Sequence, residues 1–357
     1  MVEVESLERF DALVAAGARS AGHWRLQDID LTGRTEQLRG LDVEGALLLG
    51  CTLETEDEND LRARGALVFP QLPHVLVNPY RAELYTPQEL YAGLDQSYAD
   101  TLDARAYAWS RSSRDLGHDL AQALHDHAID DALTGVAGNL RLVGVMGGHA
   151  LQRGEPEYVE AARLGRDLTR AGLTVATGGG PGAMEAANLG AYLAGHDDDA
   201  LDKALEVLAA VPSYTPDIGA WAGAAFAVLE RWPDGTASVG IPTWFYGHEP
   251  PNVFATRIAK YFKNAIREDV LLHLCDAGIV FLPGRAGTVQ EVFQDACENY
   301  YSDPESLAPM VLVGIEHWTR VLPAWPLLEA LAAGRSMATH VHLVDSANAV
   351  LPHLDPR

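Results

Sequence analysis

The sequence predicts an α/β protein built on a doubly wound parallel sheet, Rossmann-like, with an N-terminal extension or small domain. Two observations predict it. Beyond about residue 135, short apolar runs alternate with longer stretches whose apolar residues recur at helical spacing. Two of those runs lead straight into glycine-bearing turns, at 177–182 and 283–287, each followed by a helical stretch. Alternation of this kind implies βαβ units with right-handed crossovers. In such sheets a ligand sits beyond the carboxyl ends of the strands. The loops after Met146, Ala176, Ile241 and Leu282 are therefore expected on one rim.

In chain order, residues 140–146 read as a buried strand and 155–170 as an amphipathic helix. Residues 173–176 read as a strand, 183–193 as a helix, and 207–211 and 237–241 as short strands. Helical patterns follow at 252–269 and 270–275, then a strand at 278–282 and a helix at 288–300. A strand at 310–313 and a helix at 318–333 close the pattern. Before residue 135 the text is less regular: apolar runs at 45–49 and 65–69, a turn at Asn78-Pro79, a helical stretch over 87–131, and no internal repeat. With 357 residues the chain exceeds the usual single domain. The expected division is 1–135, of unknown role, and 136–357, a nucleotide-binding domain.

Charge narrows the partners. The chain carries 26 basic and 50 acidic residues, a net charge of −24. Such a surface repels polyanions, so neither nucleic acid nor an anionic membrane is expected to bind. A small phosphorylated ligand remains compatible, because local backbone amides and one or two arginines outweigh a distant field. The three cysteines, Cys51, Cys275 and Cys297, form no metal-ligand pattern and no disulfide framework, which favours a reducing compartment. The first residues are acidic where a signal peptide is basic, and no apolar run reaches membrane-spanning length. A cytoplasmic location is the expectation. His118, His125 and His127 lie near four aspartates, but their spacing does not place three metal ligands on one helix face; a solvated helix is expected there.

The chemistry concentrates in two segments. In Thr177-Gly-Gly-Gly-Pro-Gly-Ala-Met-Glu185, Gly178, Gly179, Gly180 and Gly182 let the backbone turn sharply and expose its N–H groups. The helix that follows aims its positive end at the turn, as a phosphate requires. This is neither the dinucleotide G-x-G-x-x-G pattern nor a P-loop. The second segment, Phe281-Leu-Pro-Gly-Arg-Ala-Gly-Thr-Val-Gln-Glu291, has the same design, with Thr288 as a candidate helix cap. Glu291 either folds back as the partner in a capping box or faces the ligand. Glu185 either holds a ribose hydroxyl or only favours its helix terminus. His149 stands at the rim, where it either touches the ligand or is structural, and the aromatics of 242–248 either stack on a base or belong to the core.

Together, T-G-G-G-P-G-x-M-E and P-G-x-x-G-T-x-x-E resemble the LONELY GUY (LOG) family, once labelled lysine-decarboxylase-like; the resemblance covers about Leu140 to Val344. It implies a nucleoside 5′-monophosphate phosphoribohydrolase, a hydrolase that releases a free base and ribose 5-phosphate. It also implies a homodimer or higher homo-oligomer, with no cofactor and no metal. The decarboxylase label fails chemically, since none of Lys203, Lys260 and Lys263 stands beside a glycine loop to form a Schiff base. The catalytic pair implied is Arg267 with Glu291. The substrate-binding set implied is Gly147, Gly148, Gly178, Gly179, Gly180, Gly182, Met184, Glu185, Pro283, Gly284, Arg285, Gly287 and Thr288. The chain departs from the family at Arg285, where a second glycine is usual, and at Gly148-His149, where Gly-Ser is common. The alternative is a non-catalytic carrier of a nucleotide or a molybdenum-cofactor-like ligand on the same fold.

Overall fold

The computed structural model describes residues 2–72, 75–112, 115–245 and 249–354. It divides into two compact units: Met1–Glu83 with Ser112–Ala132, and Leu84–Arg111 with Leu133–Arg357.

The first unit holds a four-stranded parallel sheet in sequential order, β1 (Val2–Val4), β2 (Trp24–Gln27), β3 (Leu47–Leu49) and β4 (Leu67–Phe69). Helices Leu7–Ala15, Thr35–Gly40 and Thr55–Ala63 return the chain from each strand to the next. Register pairs Val4 with Leu26, Leu26 with Leu48 and Leu48 with Val68, so the βα unit recurs after 22, 22 and 20 residues. No repeat of residue identity underlies this spacing. What repeats is burial and not identity: Val4, Leu26 and Leu48 are at most 2% exposed. Their neighbours on the other face, Glu3, Arg25 and Leu47, share no chemistry. Residues 116–132 of helix Leu116–Ala137 belong to the same unit. Their polar face is not solvated as expected, because His118, Gln122, His125 and Asp126 are buried while His127 is exposed. No group of three metal-ligating side chains exists among the described residues.

The second unit is the doubly wound sheet. Its strands are β5 (Leu142–Met146), β6 (Thr174–Thr177), β7 (Val239–Gly240), β8 (Arg257–Ile258), β9 (Ile279–Phe281), β10 (Met310–Val313) and β11 (Val341–Val344). They are all parallel, in the order β11-β10-β9-β5-β6-β7-β8. The chain winds outward from β5 to β8, then crosses back to the other side of β5 for β9 to β11. Strand order therefore reverses between β5 and β9, and a crevice opens there at the carboxyl edge.

Four expected elements differ, the first being the helical stretch over 87–131, which is broken into Pro87–Leu90, Leu102–Ser110 and the start of Leu116–Ala137. Residues 207–209 end the helix Asp198–Ala209 and 210–211 follow it as a turn; Leu201, Leu205 and Leu208 are buried at helical and not strand spacing. Residues 252–263 are not helical: the Asn252 carboxamide accepts from Phe254 N and Ala255 N and turns the chain, which then enters β8. The expected helix 318–333 is a π-turn, His317–Val321, followed by Trp325–Ala332; Pro323 lacks the N–H that a continuous helix needs. No described helix is long and apolar enough to cross a membrane.

Helices Pro156–Arg170 and Ala183–Tyr192 touch backbone to backbone. A Cβ at Gly190 would stand 1.7 Å from the Ala162 carbonyl oxygen, and one at Gly165 would stand 2.0 Å from that of Ala187. Gly190→Ala is expected to force the helices apart at a cost of about 1–3 kcal/mol. Denaturant titration reads this as a lower midpoint; an unchanged midpoint would show that the contact is slack.

Candidate active site

The crevice is closed by three chain segments that meet around Gly148. Leu282 N donates to Met146 O at 2.9 Å, Gly148 N to Pro283 O at 3.3 Å, and Ala183 N to Gly148 O at 3.1 Å. Only glycine fits at the meeting points. Gly182 has φ +73° and a Cβ there would lie 2.4 Å from Gly148 O; at Gly147 it would lie 2.8 Å from the Ala183 Cβ. Gly179 has φ +67° and backs onto Pro242, and Gly284 lies under the Thr288 hydroxyl.

Beneath the first glycine turn lies a buried polar network that sequence reading missed. Thr177 Oγ1 donates to Asn188 Oδ1 at 2.7 Å and accepts from Gly179 N at 2.9 Å. Asn188 Nδ2 donates to Ser238 Oγ, and Asn252 Nδ2 bridges Asn188 Oδ1 and Gly180 O. Each partner is satisfied, as burial demands. The available signal was Asn188 itself, which with Glu185 is one of two strongly polar residues in an otherwise apolar helix.

The crevice opens into a cavity of about 810 Å³. Its volume lies in the range of ligand sites, roughly 300–1,000 Å³. One wall carries Arg267, Glu268, Gln290 and Glu291; the turns supply Gly147, Gly148, Gly178, Gly180, Pro283, Gly284, Gly287 and Thr288. Arg285 and His317 stand at one side, His149 and Glu249 at another, with Leu151, Met184, Pro242, Val321 and Leu322 as apolar surface.

Arg267 is 8% exposed and heavily engaged. Its guanidinium lies 3.5 Å from Glu291 Oε1 and 3.6 Å from Glu268 Oε1, and it donates to Asn264 Oδ1 at 2.7 and 3.2 Å. Glu268 in turn accepts from Gln290 Nε2 at 2.5 Å. Burial raises the Glu291 pKa to about 7; Arg267 opposes the rise and Glu268 adds to it. Arg285 is exposed, and no carboxylate among the described residues pairs with it. Across the cavity mouth, His149 Nδ1 lies 3.3 Å from Glu249 Oε1. The pKa of His317 is lowered by burial, with the charge of Arg285 adding to the effect and the Gly284 backbone opposing it.

No family model matches the chain, and no curated protein matches it. Among solved structures, the molybdenum cofactor binding protein from the phototrophic bacterium Rippkaea orientalis is 18% identical, with a TM-score of 0.36 over 59% of this chain and 92% of that one. The Moco carrier protein from Chlamydomonas reinhardtii is 17% identical, with a TM-score of 0.36 over 60% of this chain and 94% of that one. The structure of TM1055 is 16% identical, with a TM-score of 0.37 over 60% and 97%.

Of the residues singled out from sequence, Arg267, Glu291, Arg285, Met184 and Thr288 line this one cavity together with seven others: Gly147, Gly148, Gly178, Gly180, Pro283, Gly284 and Gly287. Gly179 and Gly182 shape the turn without lining the cavity. Glu185 does not face it at all: the carboxylate is 1% exposed and accepts from Arg153 and from Tyr158 Oη at 2.9 Å. Arg153 is itself held by Trp221 O at 3.0 Å, so this is a structural ion pair. The expected cap at Thr288 is also displaced. Helix Ala286–Tyr301 starts two residues earlier with Arg285 at its cap position, and Glu291 turns to Arg267 and not to a capping box. Of the aromatic stretch, Trp244 is core, stacked on Phe262 at 4.6 Å with its indole N–H on Asp103; Tyr246, Gly247 and His248 lie outside the described residues. Glu268, Gln290, Glu249 and His317 escaped notice, since no motif marks them.

Glu185→Ala is expected to cost about 3–5 kcal/mol of stability by stranding Arg153. Thermal or denaturant unfolding reads it. A variant as stable as the parent would show that the pair is dispensable.

Proposed function

We propose that this cavity hydrolyses the N-glycosidic bond of nucleoside 5′-monophosphates, giving a free base and ribose 5-phosphate. The observation that carries the reading is the placement of Glu291 and Arg267 in one cavity with both glycine turns. The first-turn amides of helix Ala286–Tyr301 have no earlier carbonyl to bond, and they offer the 5′-phosphate a cradle beside Gly284 and Thr288. Arg285 adds an uncommitted cation at its edge. With the phosphate fixed there, the sugar is held for reaction.

As the C1′–N bond breaks, its electron pair leaves with the base and positive charge grows on the ribose ring. Glu291 faces that charge as a carboxylate. It also accepts a proton from the water whose oxygen bonds to C1′, and that proton passes on to the departing base, which returns Glu291 to its carboxylate form. A carboxyl with a pKa of about 7 suits this task, because a base poised near working pH is both available and strong enough. Arg267 is committed to two carboxylates and Asn264. Its role is to hold Glu291 in place more than to bind phosphate.

A second reading, a carrier that binds a phosphorylated cofactor without chemistry, draws on Arg285, whose side chain stands where a bare glycine turn would serve a monophosphate alone. The two readings part on one measurement. Incubation with a panel of nucleoside monophosphates is expected to release base, and Glu291→Gln to lower kcat about 10²–10⁴-fold while binding survives. Tight binding with no release from any monophosphate would favour the carrier.

Two further outcomes follow from the charges. Because Glu291 acts ionised, and its ionised fraction grows as pH rises, kcat should climb with pH through about 7. A profile flat across that range would remove Glu291 as the base. Arg285→Ala should weaken phosphate-bearing ligands roughly tenfold, the scale of one charge-assisted hydrogen bond; calorimetric titration measures it.

A further inference from the structure

We propose that Glu268 is a positioning residue that sets the proton affinity of Glu291. The inference deepens the reading of Glu291 as a base and rests on it for its consequence in catalysis. Its physical content stands separately.

Three observations place Glu268 in this role. It is 4% exposed, yet it lines the same cavity as Glu291. The two carboxylates stand on adjacent helices, Asn264–His273 and Ala286–Tyr301, with the Arg267 guanidinium between them at 3.6 and 3.5 Å. And Glu268 has its own anchor, the Gln290 carboxamide at 2.5 Å, which neighbours Glu291 on the same helix. One cation thus serves two buried carboxylates. The charge count on this wall is one short of neutral, and in a medium where charges are weakly screened such a deficit is met by proton uptake. Glu268 holds the Gln290 bond, whereas the contact of Glu291 on this wall is the Arg267 guanidinium at 3.5 Å, so the uptake is assigned to Glu291. The raised pKa of Glu291, to which Glu268 adds after burial, agrees. The other ionisable groups on the cavity are Arg285, His317, His149 and Glu249, the last two paired with each other.

The test is a carboxyl-carbon NMR titration of the full chain with labelled glutamate, the Glu291 signal assigned by its loss in Glu291→Gln. In the parent protein that signal should titrate near 7. In Glu268→Gln, which keeps shape and removes charge, it should move to lower pH by about half to one unit, a three- to tenfold weaker proton affinity. Glu268→Asp keeps the charge and should restore most of the parent value, which a merely structural role would not do. An unchanged Glu291 titration in Glu268→Gln overturns the proposal, whatever the protein catalyses. If base is released, the rising limb of kcat against pH should shift with the NMR titration. If the titration shifts but no monophosphate yields base, the proposal stands and the hydrolase reading falls.

Discussion

The cavity depends on one approach that side chains would forbid. The Gly148 carbonyl sits against the start of helix Ala183–Tyr192, where it takes the Ala183 amide at 3.1 Å, and a Cβ on Gly182 would come within 2.4 Å of that oxygen. The same strand end is tied to Leu282 and Pro283. Strand β5, the first glycine turn and the second glycine turn are thus held as one piece at the point where strand order reverses. A larger residue at Gly147 or Gly182 would separate the turns, and the cavity wall with them.

Buried polar groups in this half of the protein are of two kinds, and the difference is geometric. The network of Thr177, Asn188, Ser238 and Asn252 is closed by direct hydrogen bonds of 2.7–3.2 Å and holds the first turn rigid. The pair of Glu185 and Arg153, joined by Tyr158, is equally closed. Around Arg267 the carboxylates stand off at 3.5 and 3.6 Å, on the wall of an open cavity. A saturated carboxylate is a structural member. The Arg267 carboxylates instead stand beside space for a ligand.

The first unit shows a different economy of information. Its four parallel strands stack one βα unit on the next, and each needs only an aliphatic residue pointing inward at the right interval. Val4, Leu26, Leu48 and Val68 meet that need while the rest of each unit varies. A repeat defined by burial alone leaves little trace in a single sequence.

The sequence by itself determined the fold class of residues 136–357 and the glycine turns, because both rest on local rules: apolar periodicity, and backbone conformations that only glycine adopts. It also brought out Glu291, through the second motif, and Arg267, through the family resemblance that the two motifs carry. Only the tertiary structure decided which polar residues face the cavity. Glu185 and Glu291 follow glycine turns at similar distances along the chain, yet one is buried against Arg153 and the other lines the cavity. That choice depends on a partner 32 residues upstream for the first and on a helix from another βαβ unit for the second. Glu268, Gln290, Asn188 and Asn252 were invisible for the same reason. Their roles lie in what stands opposite them in space, and linear spacing carries no record of that.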